Sequence, residues 1–312
     1  MALVKVPSLA KLNLDLRVLH KRLDGYHELR TIFQTINLSD VLTIEFDFAR
    51  RTQFALDSSV DIADNLLIRA GKAVLDHLKI AASVRFVLRK RIPMGAGLGG
   101  GSSNAAAVLI ALPALARRRV SLSELVRLGE SLGSDVPFFL HGGTALGAGR
   151  GTELYPLPDQ PERPAVVVSS SIHVSTAEAY VALKRNSHVT NALTSDGDSP
   201  ILREFQVVAW NLQSSSLQHL PLKNDFEEPV FGLHRELAAS ARKLKRLGAR
   251  PALMTGSGSA VFGVFPSVEA ARSAAGNFPE GSAYLTRFVS RRRYRAMWQR
   301  ALGPAAEASC FS

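Results

Sequence analysis

An α+β fold in two packed domains follows from three features of the 312-residue chain. Its length exceeds one typical domain and falls short of three. Its first forty-odd residues read as strand, turn, strand and not as strands alternating with helices. A proline cluster at 156–164, PLPDQPERP, breaks the pattern near mid-chain and divides it into units 1–160 and 161–312. Hydrophobic residues at 46% and charged residues at 21% supply a core for each unit and exclude wholesale disorder.

In chain order, KLNLDLRVL alternates apolar and polar residues, KRLDGY supplies a turn, and FQTINL followed by DVLTIEFDF resumes strand composition, an antiparallel meander. Residues 64–78, DNLLIRAGKAVLDHL, place Leu66, Leu67, Ala70, Val74, Leu75 and Leu78 at helical spacing, with Asp64 or Asn65 as cap. SVRFVLRKRI sets Val84, Phe86 and Leu88 against Arg85 and Arg89, a half-buried strand running into a glycine-rich loop. Residues 104–117 form an alanine-rich buried helix. SLSELVRLGESLG forms another, capped by Ser121 or Ser123 and ending at Gly133, after which SDVPFFLHGGTALGAGRG breaks into turns and short strands.

In the second unit, VVVSS starts a strand, STAEAYVALK makes a short helix, and the polar stretch 186–199 reads as a mobile loop. Residues 231–247 read as one amphipathic helix, and PALMTGSGSAVFGVF as strand, glycine turn, strand. The tail from Ser290, SRRRYRAMWQRALGPAAEASCFS, reads as a basic amphipathic helix followed by a disordered end.

Composition removes several function classes. Cys310 is the only cysteine, so an internal disulfide and a cysteine metal cluster are excluded, and it reads as an exposed thiol. The opening MALVKVPSLAKLNLDLRV carries charge every few positions, unlike a signal peptide or a membrane span, so the expectation is a cytoplasmic protein without a membrane partner. The net charge of +11, from 38 basic and 27 acidic residues, favours anionic partners. Nucleic acid is the rival partner. The arginine clusters are not interleaved with aromatics on one face, which disfavours it and leaves an anionic small molecule.

The run Pro93, Met94, Gly95, Ala96, Gly97, Leu98, Gly99, Gly100, Gly101, Ser102, Ser103 stands between a strand and a helix. It offers unobstructed backbone N–H groups and a helix N-terminus, a cradle for phosphate. No Gly-Lys-[Ser/Thr] triplet closes it, so it is not a Walker-type loop. Gly95, Gly97 and Gly100 satisfy G-x-G-x-x-G, but the alternating arginines of the preceding strand do not suit the central parallel strand of a dinucleotide fold.

Other residues are ambiguous by chemistry alone. Asp135, between a helix end and Pro137, suits either a cap or a carboxylate that orients a reacting hydroxyl. Lys11 reads as a solvent-facing strand charge, with Asn13 on the same face. Tyr26 and His27 follow the Asp24-Gly25 turn as ordinary surface residues would, and Gly256 to Gly258 makes a tight hairpin.

The glycine loop resembles the second signature of the GHMP kinase superfamily. Further segments match in order: PSLAKLNLDLRV with LDGYHELRTIFQTINLSD, DNLLIRA, GSDVPFFLHGGTALGAGRG, and KNDFEEPVF with TGSGSAVFGVF, together spanning about residues 7 to 265. DGYHEL and SDVPFFL are similar to the branch acting on a cytidine diphosphate ester; homoserine kinase, with no use for a cytosine clamp, is the rival within the superfamily. The resemblance implies a two-domain GHMP kinase fold, with an N-terminal ribosomal-S5-domain-2-like domain and a C-terminal ferredoxin-like α/β sandwich domain. It implies ATP and Mg2+ as cofactors, phosphorylation of an alcohol, and catalytic roles for Lys11 and Asp135. Asn13, Tyr26, His27 and Tyr180 would bind the acceptor, Tyr180 standing where phenylalanine is common. Asn65 and Leu66 would meet adenine, residues 93–103 the phosphates, and Ser103 would hold Mg2+ directly or through water. One departure is Pro7-Ser8-Leu9-Ala10-Lys11, with one residue more than the usual proline-alanine-lysine opening.

Overall fold

The computed structural model describes residues 2–60, 65–183, 200–212 and 217–310. The stretch 186–199, Asp64 and the last two residues lie outside the described residues.

The first sheet grows from one long hairpin. Strands β1 (Ala2–Lys21) and β2 (His27–Phe48) pair antiparallel along their whole length, around a turn that Gly25 closes at φ +84°. FQTINL and DVLTIEFDF are therefore one strand, because β1 offers partners along all of it. Strand β3 (Gln53–Ser58) runs parallel to β4 (Ala82–Arg89), β4 flanks the second half of β2, and β5 (Thr144–Ala148) with β6 (Glu153–Pro156) flanks the first half. Helix α1 (Leu66–Leu78) starts at Asn65, whose side chain accepts from the Leu67 N–H at 3.0 Å. Helix α2 (Gly100–Leu115) is apolar on every side, and Ser103 to Leu115 are all buried, as a helix enclosed by a sheet and other helices must be. Helix α3 (Leu122–Leu132) begins with a capping box between Ser121 and Glu124. Short helix α4 (Val136–His141) occupies part of the segment expected to hold only turns and strands; its first five residues are buried, so packing against α2 and α3 overrides the glycines that follow.

The second sheet has the order β10-β7-β9-β8, built from β7 (Pro164–Val168), β8 (Ala252–Met254), β9 (Val261–Val264) and β10 (Ala283–Arg287). Alternation along β7 sends Val166 and Val168 toward helices α8 (Arg235–Arg246) and α9 (Val268–Ala275), and Ala165 and Val167 toward Ala10, Leu12 and Leu14 of β1. The two sheets thus share a continuous apolar layer, joined by α6 (Pro200–Asn211) through Phe205 and Val208. Helices α5 (Thr176–Ala182) and α7 (Glu227–Leu233) pack on the other face of the second sheet, where Ala179 and Val230 join Val166 and Val168. The stretch expected as a single helix over 231–247 is broken at His234, whose φ of −128° and ψ of 83° are not helical.

Helix α10 (Arg291–Leu302) does not trail into solvent. Tyr294, Trp298 and Leu302 are buried in the core of the first unit, and the Tyr294 hydroxyl donates to the Phe139 carbonyl at 2.5 Å. Beyond it, Gly303–Ala308 forms a 3-10 helix where the sequence reads as disordered. Burial there pushes the Cys310 thiol up to about 11, which corrects its reading as an exposed thiol.

A bulge in β1 decides what faces the site. Asn13 pairs with Phe33 and Asp15 with Ile32, so Leu14 is the extra residue and the in/out parity reverses after it. Before it, Lys11 and Asn13 face the cleft; after it, Leu16 does. Asp15 and Arg17 turn toward α6, where Arg17 bonds both Asp15 oxygens, Glu204 and the Pro221 carbonyl, with Asp15 and Arg17 both fully buried.

Candidate active site

The glycine loop is fixed at both ends by one carboxylate. Asp40, 0% exposed, accepts from the Arg91 and Ile92 N–H groups at 2.7 and 2.9 Å upstream of the loop, and from Asn104 Nδ2 at 3.1 Å downstream. Lys90 Nζ balances it at 2.5 Å. Between these anchors Gly95, Gly97 and Gly99 hold φ of +66°, +73° and +71°, conformations that other residues adopt only at a cost. At Gly97 space is also decisive: a Cβ would stand 2.2 Å from the Thr255 carbonyl oxygen. The turn between β8 and β9 lies directly on the loop, with Ala260 N–H donating to the Ala96 carbonyl at 3.2 Å, while Lys11 N–H donates to the Leu98 carbonyl at 3.0 Å. Helix α2 opens at Gly100, so its first N–H groups and its dipole point into the loop.

Lys11 is 3% exposed and does not face solvent. Its Nζ donates to Asn13 Oδ1 at 2.6 Å and lies 3.4 Å from Asp135 Oδ2. Asn13 donates through Nδ2 to Thr31 Oγ1 at 2.8 Å, and its N–H bonds Thr255 Oγ1 at 3.0 Å. Asp135 stands at the cap position of α4, yet its side chain makes no cap hydrogen bond, so the carboxylate is free of the backbone and 34% exposed to the cleft.

At the far end of the same cleft, about 910 Å3 in volume, the rings gather. His27 stacks on Tyr180 at 4.5 Å, and Tyr180 meets Phe226 edge-on at 4.8 Å. Tyr26 is half exposed, with the Arg150 guanidinium 4.2 Å from its ring centroid. Desolvation, reinforced by the charges of Lys21 and His20, holds the His27 imidazole below its ordinary range; desolvation and the Asp135 charge push the Tyr180 phenol up to about 12.

The cleft therefore gathers Lys11, Asn13, Tyr26, His27, Asp135 and Tyr180, together with Gly95, Gly97, Gly99 and Ser102 of the loop. Asn65 and Leu66 do not line it. They stand behind the loop, where a Cβ on Gly101 would meet Leu66 Cδ1 at 3.6 Å, and Asn65 Nδ2 is buried without a hydrogen-bond partner. Met94 is exposed, Ala96 and Leu98 point into the shared core, and Ser103 is 2% exposed. Sequence reasoning missed Asp40, Arg150, Thr255 and His173, the last lining the cleft beside Gly95. Arg150 alone left a signal, standing between Gly149 and Gly151 at φ of +65° and +91°.

Residues 65–143 match the GHMP kinases N terminal domain, and residues 209–281 match GHMP kinases C terminal. Over 95% of this chain and 92% of its own length, the 4-diphosphocytidyl-2-C-methyl-D-erythritol kinase of Solibacter usitatus is 51% identical. The chain belongs to the 4-diphosphocytidyl-2-C-methyl-D-erythritol kinase family. A second family member, from Moorella thermoacetica, is 39% identical over 90% of this chain and 96% of its own. A crystal structure of a 4-(cytidine 5'-diphospho)-2C-methyl-D-erythritol kinase covers 91% of this chain and 98% of its own with a TM-score of 0.74 at 35% identity. Homoserine kinase from Cytophaga hutchinsonii, at 17% identity and a TM-score of 0.71, shares the fold. Within this kinase family the two-domain GHMP fold accounts for the two sheets and the layer between them.

Proposed function

We propose that the chain transfers the γ-phosphoryl group of ATP to the 2-hydroxyl of 4-diphosphocytidyl-2-C-methyl-D-erythritol, giving the 2-phosphate and ADP, in the non-mevalonate route to isoprenoid precursors. The observation that carries this reading is the Lys11–Asp135 pair, 3.4 Å apart, set between the glycine loop and the His27–Tyr180 stack in one cleft. A phosphoryl donor at one end and a base-bearing acceptor at the other meet at that pair.

In this mechanism the loop N–H groups and the start of α2 hold the ATP phosphates. Asp135 accepts the hydrogen bond of the acceptor hydroxyl and takes its proton as the oxygen bonds to the γ-phosphorus and the bond to the β–γ bridging oxygen breaks. Lys11, oriented by Asn13, stabilises charge on the acceptor oxygen and the transferring group. Tyr26, His27 and Tyr180 bind the cytosine. Asn65, with its unpartnered Nδ2, suits an acceptor atom of adenine, and Leu66 packs beside it.

Among the described residues no group of three His, Cys, Asp or Glu side chains could hold a metal, which fits a Mg2+ that takes most of its ligands from phosphate and water. Ser103 would hold it, directly or through water, and when bound it would neutralise phosphate charge. No described helix is long and apolar enough to cross a membrane, and a cytoplasmic location belongs to the same proposal. So does a division near residue 160, the first unit holding the nucleotide and the second contributing Tyr180 and the 255–258 turn.

The test is a substrate panel with coupled ADP detection. Turnover with the cytidine diphosphate ester and none with homoserine or mevalonate is expected; the reverse pattern refutes the assignment.

A further inference from the structure

Ser8 and Ser103, 95 positions apart, are joined by a 2.8 Å hydrogen bond beneath the glycine loop, and both are buried. Its neighbours orient the side chains around it. Asn104 Nδ2 lies 3.1 Å from Asp40 Oδ2, which accepts, and Asn104 Oδ1 lies 3.4 Å from Lys90 Nζ, which only donates. The amide therefore has one orientation, and its second N–H, 2.8 Å from Ser8 Oγ, is given to that oxygen. Ser8 accepts there through one lone pair, and the geometry of the 2.8 Å bond has its hydroxyl donating to Ser103 Oγ.

Ser103 is left with one lone pair engaged and its own proton uncommitted: among the described hydrogen bonds none has Ser103 Oγ as donor. Ser103 sits in the first turn of α2, where the loop amides also converge.

We propose that Ser8 is a positioning residue for phosphate recognition, acting through an oriented chain, Asn104 to Ser8 to Ser103, that presents the Ser103 hydroxyl as a donor to a nucleotide phosphate oxygen. The inference rests on the reading of the loop as an ATP site and deepens it. In such a chain each bond polarises the next, and the last donor is both strengthened and held in one rotamer. An anionic phosphate oxygen is the acceptor best matched to it. A Mg2+ held mainly by phosphate and water would then meet Ser103 through water, the hydroxyl itself being given to the phosphate.

The test measures dissociation constants of ATP, ADP and adenosine for the wild type, Ser8→Ala, Ser103→Ala and the double variant, by calorimetry and, for weakly bound adenosine, ligand-observed NMR. Ser8→Ala weakens ATP and ADP about 3- to 10-fold, the range of one hydrogen bond, and leaves adenosine unchanged. Ser103→Ala weakens them at least as much, and adding Ser8→Ala to it costs nothing further. Equal weakening of adenosine, or effects that multiply in the double variant, overturns the relay in favour of a packing role. A Ser103→Ala variant with unchanged ATP affinity and a raised Mg2+ requirement overturns it in favour of direct metal ligation. A wild type that binds no ATP refutes the underlying reading of the loop itself.

Discussion

The His27 imidazole lies face to face with the Tyr180 phenol, ring centroids 4.5 Å apart and planes 20° apart. That spacing is already a stacking distance, so no third ring fits between them. A base that uses Tyr180 must part this pair or stack on its outside. Tyr180→Ala is expected to raise KM for the cytidine substrate about 5- to 100-fold, the range of one base-stacking contact, with KM for ATP unchanged. Tyr180→Phe keeps the ring, and its KM stays within about twofold. Steady-state kinetics with each substrate varied checks both, and a Tyr180→Ala enzyme with wild-type KM removes the ring from the binding site.

His27 gives the site an acid limit. Its folded-state value lies below the ordinary 6.5, first through desolvation and then through Lys21 and His20, so folding favours the neutral ring. The unfolded chain binds the proton more readily, hence the stability His27 contributes is present above pH 6.5 and is lost as pH falls through its lowered value. Protonation also pushes a charge into the stack. The kcat/KM for the cytidine substrate should hold through the ordinary histidine range and fall only where the lowered His27 takes its proton, and His27→Gln should flatten that limb. A pH profile unchanged by the substitution counts against it.

Asp135→Asn keeps the shape of the side chain and removes its capacity to take a proton. The kcat is expected to fall about 10^2- to 10^4-fold while nucleotide affinity changes little. Because the carboxylate makes no cap bond, α4 keeps its start, but the buried Lys11 loses its counter-charge, so the melting temperature should fall, and nucleotide binding by the folded variant at the assay temperature separates chemistry from folding.

Two glycines of the loop should answer oppositely to alanine. Gly97→Ala drives a methyl group to 2.2 Å from the Thr255 carbonyl at a φ of +73°, so either the loop or the 255–260 turn must move and nucleotide affinity should collapse. Gly101→Ala meets only Leu66 Cδ1 at 3.6 Å inside helix α2, where alanine is favoured, and affinity should stay near wild type. Nucleotide titration of the two variants is the check.

Arg17→Met strands a carboxylate. Asp15 and Arg17 are both fully buried, and desolvation already raises Asp15 despite its partner, so removing the guanidinium should cost about 3–5 kcal/mol in urea unfolding at neutral pH. The loss should shrink at lower pH, where Asp15 gains its proton in the variant.

Much of the fold was legible in the sequence because local chemistry and tertiary packing agree. Val84, Phe86 and Leu88 alternate as a half-buried strand must, and Asn65 caps α1 as its side chain allows. The disagreements lie where distant contacts decide. His234 interrupts what periodicity alone draws as one helix, and the bulge at Leu14 reverses the facing of β1 with no glycine to announce it. Lys11 has the pattern of an exposed strand charge; Asn13 and Asp135, the latter far along the chain, make its burial tolerable. Asp40 was invisible because its four partners lie 50 or more residues away.

Helix α10 leaves a ribosome long after α4, yet Tyr294 and Trp298 fill the core of the first unit, and a Cβ on Gly142 would stand 2.4 Å from the Tyr294 ring. During synthesis, α4 and Asp135 at its start wait without this cover until residues 291–302 arrive. Asp135 is therefore set in its final surroundings only once that helix has been made, and truncating the chain before Ser290 should silence activity although every cleft residue is still present.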